Sequence, residues 1–177
     1  MSRLKQATEL ASSLGLEAPY ETTQCDLAMM GLVRRYTSQN RVSIPQQWAE
    51  FVPQVSQELP EYQGIYYGVC DNGAEDCSFD YWTTIEATPS LLKHPQNPWI
   101  EYLWKGGDYI VFPHRGHVSM LVKTIDLLWN RWVPRCPYRI RRGASVERYL
   151  PEFDAKTGLG GMEFWIPISL CDDSFEK

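Results

Sequence analysis

Apolar positions recur at helical spacing in two stretches of the chain. Ile44, Trp48, Phe51, Val52, Val55 and Leu59 fall on one stripe, which Ser43-Ile44-Pro45-Gln46 opens. A serine cap, a proline in the first turn and a glutamine three residues on make a capping-box pattern. Pro53 lies inside the stripe and predicts a bend or an interruption there. Val118, Leu121, Val122, Ile125, Leu128, Trp129 and Trp132 repeat at three and four, and Pro134 ends the run. Each predicted helix follows a strand-like run and precedes two more. The runs are 27–36, 65–70 and 78–87 in the first half, and 109–114, 145–150 and 162–168 in the second. Asp71-Asn72-Gly73 and Thr157-Gly158-Leu159-Gly160-Gly161 supply the turns. Trp48 precedes Asp80-Tyr81-Trp82 by 32 residues, and Trp129 precedes Glu163-Phe164-Trp165 by 34. The matched order predicts an α+β fold built from a pseudo-twofold repeat, with a helix over each half of the sheet burying its stripe.

The pattern divides the chain as follows. Residues 1–21 are an N-terminal extension with a helical pattern at Leu4, Leu10 and Leu14. Residues 22–177 are one domain, with half one at about 22–87 and half two at 106–169. Between them, residues 88–105 carry Pro89, Pro95 and Pro98 and read as an ordered connection over the surface.

Composition narrows the function classes. A chain of 177 residues supports one domain with a real core. No apolar run approaches the roughly 18 residues of a membrane span, so no membrane role is expected. Net charge is −5, which disfavours direct nucleic-acid binding and biases partners toward cations. Cys25, Cys70, Cys77, Cys136 and Cys171 are an odd set without metal-type spacing. With no signal-peptide pattern at the start, they predict free thiols in the cytoplasm. Seven tryptophans exceed what a core of this size needs and suit a pocket for flat ligands.

One charge stands out. Met162-Glu163-Phe164-Trp165-Ile166-Pro167-Ile168 is apolar except for Glu163. Alternation puts Glu163 and Trp165 on one strand face, Met162 and Phe164 on the other. A carboxylate beside an indole is what an apolar cation needs, an opposite charge and a π-face. The competing reading is a strand-edge glutamate facing water or paired with a nearby arginine. Both stand on spacing alone.

Residues along the chain resemble GyrI-like domains, the small-molecule-binding modules also attached to AraC-type and MerR-type multidrug regulators. The resemblance rests on Tyr109-Ile110-Val111-Phe112-Pro113-His114-Arg115-Gly116, Trp129-Asn130-Arg131-Trp132-Val133-Pro134, Val146-Glu147-Arg148-Tyr149 and Met162 to Ile168. Met30-Gly31-Leu32, Arg34-Arg35-Tyr36-Thr37 and the helix at Trp48 extend it toward the N-terminus. It implies a duplicated βαββ fold around a central groove that takes lipophilic, often cationic, ligands opposite a glutamate corresponding to Glu163. With no segment of DNA-binding size in the sequence, the chain resembles the stand-alone members.

The groove expected on this basis is lined by Glu163, Trp165, Tyr149, Tyr81 and Trp82, with Tyr67, Tyr109 and Phe112 as further walls. Asp80, the counterpart of Glu163 in the first half, is a second acidic contact or an acid that caps a turn or pairs with arginine. Desolvation is expected to raise the Glu163 pKa, so that an entering cation releases a proton. No cofactor or metal is expected. Some GyrI-like proteins hydrolyse strained cyclopropane-type electrophiles, so a hydrolase with Glu163 as general base, assisted by Tyr149, is the alternative. A ligand-responsive protein-interaction module is the third. His114-x-x-His117 has no evident third metal ligand and reads as structural. Arg135, Arg139, Arg141, Arg142 and Arg148 surround Glu147 alone and read as a solvated basic face.

Overall fold

The computed structural model describes residues 1–92 and 98–170. Pro95, in the connection, and Cys171 lie outside the described residues. The strands are β1 (Tyr20–Gln24), β2 (Leu27–Tyr36), β3 (Tyr66–Asp71), β4 (Phe79–Glu86), β5 (Ile100–Trp104), β6 (Gly107–His114), β7 (Arg139–Ile140), β8 (Ser145–Tyr149) and β9 (Met162–Ser169). The helices are α1 (Arg3–Ser13), α2 (Ile44–Glu58), α3 (Pro89–Leu92) and α4 (Leu121–Leu127). The sheet runs β1-β6-β9-β8-β3-β4-β2-β5, every pairing antiparallel, with β7 added on β9. The inner six strands read the same from either end: β6-β9-β8 mirrors β2-β4-β3. That is the repeat β–α–β–β, used twice and joined by the β3–β8 pair.

Strand alternation sorts the core into two faces. On the helix face, Phe51 and Val55 of α2 pack on Met30 and Ile85. Ala7 and Ala11 of α1 pack with Trp132 on Ile110, Phe112, Phe164 and Ile166. Ser2 caps α1 by accepting the Lys5 amide, and the two alanines let the helix sit close to the sheet. Among the described residues no helix covers the opposite face. Its cover is aromatic: Trp104, Tyr109 and Trp165 stand edge to ring at 5.5–5.6 Å, over Met29, Val69, Val111 and Val146. Burial of these rings contributes about 1.5–3 kcal/mol each.

Several local expectations change. Residues 41–43 form a 3₁₀ turn ahead of α2, so Ser43 is already helical and its side chain makes no cap bond. The helix continues through Pro53, which is exposed, while Phe51 and Val55 anchor the turns on either side. The second helical pattern is divided into a 3₁₀ turn at 118–120, α4, a π turn at 128–132 and a 3₁₀ turn at 133–135. The wider π turn keeps Leu128 and Trp132 buried but leaves Trp129 facing out, and Val122 is exposed as well. β1 carries a polar sequence, Tyr-Glu-Thr-Thr-Gln, that an edge strand tolerates and that periodicity cannot signal. The connection forms the edge strand β5 along β2, burying Trp99 and Trp104 while Ile100 and Leu103 stay exposed. No described helix is long and apolar enough to cross a membrane.

Candidate functional site

A cavity of about 1070 Å³ lies on the helix face between α2 and the α4 segment. Its floor is the β3–β8 seam, where the two repeats meet. Glu147, from the middle of β8, is the acid on that floor. Its residue is 8% exposed. The Tyr81 hydroxyl donates to Oε2 of Glu147 at 2.8 Å and the Tyr149 hydroxyl donates to the same oxygen at 2.9 Å. Trp48 Nε1 in turn donates to the Tyr81 oxygen at 2.9 Å. Among the described residues Glu147 makes no ion pair, and Oε1 accepts no hydrogen bond.

The sequence builds this floor by one omission. Gly68 pairs with Glu147 across the seam. A Cβ there would stand 2.3 Å from the Tyr81 hydroxyl and 2.7 Å from Glu147 Oε2. Glycine therefore opens the space through which Tyr81, one strand over, reaches the carboxylate. Gln47, fully buried on α2, fixes the same strand from the other side. Its amide donates to the carbonyls of Leu32 at 3.0 Å and Tyr81 at 3.1 Å, and it accepts from Tyr36 at 3.0 Å. The walls are Ile44, Trp48, Leu121, Ile125, Tyr66 and Phe153, with Trp48 and Phe153 each 5.1 Å from the Tyr149 ring.

Electrostatics follow from burial. Desolvation pushes the Glu147 carboxyl above its ordinary value, and the two tyrosine donors only partly offset it. Burial, with the carboxylate beside them second, pushes both phenols well above theirs. They are neutral donors near pH 7. The floor is thus an acid that gains stability from any added positive charge.

The residues expected to form the groove separate onto two faces. Tyr149 and Tyr81 line the cavity. Glu163 does not. The β8–β9 register sets Tyr149 opposite Met162 and Arg148 opposite Glu163, so Glu163 and Tyr149 point to opposite sides of the sheet. There Glu163 accepts from Arg148 at 3.2 Å, from Trp165 Nε1 at 3.0 Å and from Tyr20 at 2.7 Å. The Arg148 guanidinium lies 4.8 Å from the Trp165 ring centre. This is the arginine-paired reading of Glu163, and the proposed catalytic pair Glu163–Tyr149 does not assemble. Trp165, Tyr67, Tyr109 and Trp82 share that second face, packed together with Trp104 and Tyr102. Phe112 is core beneath Trp132, at 4.8 Å. Asp80 bonds Asn72 at 2.8 Å and Arg35 at 3.0 Å, and those partners lower its pKa.

Arginines surround Glu147 in the sequence and disguise it as part of a solvated face. The signal was present: it is the one acid in a basic run, and its partner strand carries a mid-strand glycine. His114 bonds the His117 carbonyl at 3.1 Å and Thr124 at 3.2 Å, securing the start of the second helical segment.

Residues 19–169 match the family model described as a GyrI-like small molecule binding domain. No curated protein matches the chain. Among solved structures, an integron cassette protein from the mobile metagenome of Vibrio cholerae has a TM-score of 0.65 at 18% identity, covering 85% of this chain and 95% of that one. SAV2435 bound to tetraphenylphosphonium gives 0.62 at 15% identity, covering 86% and 94%. A putative transcription regulation protein from Staphylococcus aureus MU50 gives 0.61 at 16%, covering 86% and 98%. At these identities the likeness is one of fold.

Proposed function

The chain belongs to the GyrI-like family of small-molecule-binding domains, and from that premise we propose that it binds lipophilic aromatic cations in the groove between α2 and α4, with Glu147 opposite the positive charge. One observation carries this reading: a buried carboxylate that has no cationic partner among the described residues, on the floor of a large apolar cavity. Left ionised and empty, such a site bears a desolvation cost of several kcal/mol; a bound cation offsets it. The tetraphenylphosphonium held by SAV2435, a relative of the same fold, belongs to the same ligand class.

Binding then divides into two contributions. Contact with Trp48, Tyr149 and Phe153 supplies apolar area and π-faces, and this part tolerates many ligand shapes. Glu147 selects charge. Oε2 is held by two hydroxyls, so the carboxylate stays in place, and Oε1 receives the cation. Because the empty carboxyl holds its proton more firmly than an exposed one, cation entry favours the ionised form and releases a proton.

Calorimetric titration with tetraphenylphosphonium in two buffers of different ionisation enthalpy tests this directly. The expected result is binding with fractional proton release that vanishes at high pH, where the carboxyl is already ionised. Binding of a neutral aromatic of equal bulk as tightly as the cation would overturn the charge assignment.

A further inference from the structure

Glu147 sits on the floor of the cavity, and among the described residues only two other charged side chains line it. Arg41, on the 3₁₀ turn before α2, and Asp126, on α4, face each other across the groove and pair at 3.3 Å. Their side chains are 46% and 43% exposed, so the pair marks the rim. Between rim and floor the lining is apolar, chiefly Ile44, Trp48, Leu121 and Ile125. A cavity of about 1070 Å³ is slightly larger than the roughly 300–1,000 Å³ used for drug-sized ligands.

We propose that Asp126 is a second cation subsite and that the groove takes elongated bis-cations, one charge on Glu147 and the other on Asp126. This rests on the cation-binding reading of the floor. The two rim residues are not equivalent. Arg41 has a long flexible stem and already reaches solvent, so it swings out with little loss from an exposed pair. Asp126 has a short side chain fixed to α4 and stays at the rim whether paired or not. An anionic ligand arm seeking Arg41 would meet Asp126 beside it, whereas a cationic arm replaces Arg41 with a like charge. The ligand's apolar spacer covers the walls between the two acids.

A series of bis-quinolinium compounds with increasing polymethylene spacers, each compared with its single-quinolinium half, tests the proposal by quenching of tryptophan fluorescence. In the wild type the ratio of bis-cation to monocation affinity should peak at one spacer length, at no more than about fivefold, the most an exposed ion pair allows before the displaced Arg41 pair is subtracted. Asp126→Asn should flatten the peak to near parity, and Arg41→Gln should raise it by removing the competitor. A peak that survives Asp126→Asn, or no peak in the wild type while the monocation binds through Glu147, overturns the second subsite and leaves the first reading intact. Failure of the monocation itself to bind overturns both.

Discussion

Replacing Glu147 with glutamine changes one charge and almost no shape. The amide oxygen takes the place of Oε2 and still accepts from Tyr81 and Tyr149, which now stand at 2.8 and 2.9 Å. The amide nitrogen takes the place of Oε1, which accepts nothing among the described residues. A ligand cation held about 5 Å from the carboxylate gains about 3 kcal/mol at an effective dielectric of about 20. Loss of that term lowers affinity for tetraphenylphosphonium by about a hundredfold. A neutral aromatic of the same bulk feels only the walls and should change by no more than about twofold. Fluorescence titration reads both, since Trp48 is the one tryptophan lining the cavity and its indole bonds Tyr81. Calorimetry supplies a second measure independent of quenching. Equal losses for the cation and the neutral compound would mean that Glu147 only shapes the cavity, and the electrostatic argument would fail.

Other expectations follow from the same geometry. Glu163→Gln should spare tetraphenylphosphonium affinity to within about twofold but lower stability by about 2 kcal/mol in urea unfolding, because it strands the half-buried Arg148; a selective loss of cation binding would restore the sequence-based assignment. Gly68→Ala should cost about 1–3 kcal/mol and weaken cation binding, since its Cβ would occupy the path from Tyr81 to Glu147, and an unchanged melting temperature would refute the packing argument. The raised Glu147 pKa also carries a pH signature. Between the ordinary glutamate value and the raised folded one, the folded protein holds a proton that the unfolded chain has lost. Stability of the ligand-free protein is therefore highest below that window and falls as pH rises through the folded value, and Glu147→Gln should remove the fall. Chemical denaturation of both proteins across pH 4–9 checks this (the range is roughly that of carboxyl shifts on burial).

Much of the fold was legible because the two helical segments that follow β2 and β6, and most strands, carry a complete apolar period. The stripe from Ile44 to Leu59 can only be a helix, and its recurrence before a matching acid–aromatic–tryptophan strand exposes the duplication. β1 and β5 were not legible, since edge strands bury one side at most and their polar or proline-flanked sequences need no regular period. The capping box at Ser43 failed because the preceding 3₁₀ turn already satisfies the backbone there.

Alternation along the chain by itself sets Glu163 with Trp165 on one side of their strand and Glu147 with Tyr149 on one side of theirs. It carries no information on which face receives the helices. That was decided by pairing: β8 set against β3 brings Glu147 to Gly68 and Tyr81 beneath the cavity, and β8 set against β9 brings Glu163 to Arg148 on the far side. Two glutamates on adjacent strands thus acquire opposite environments. The reason is that a strand's neighbours across the sheet come from distant parts of the chain, and whether an arginine or a tyrosine from such a neighbour reaches a carboxylate is set by that pairing.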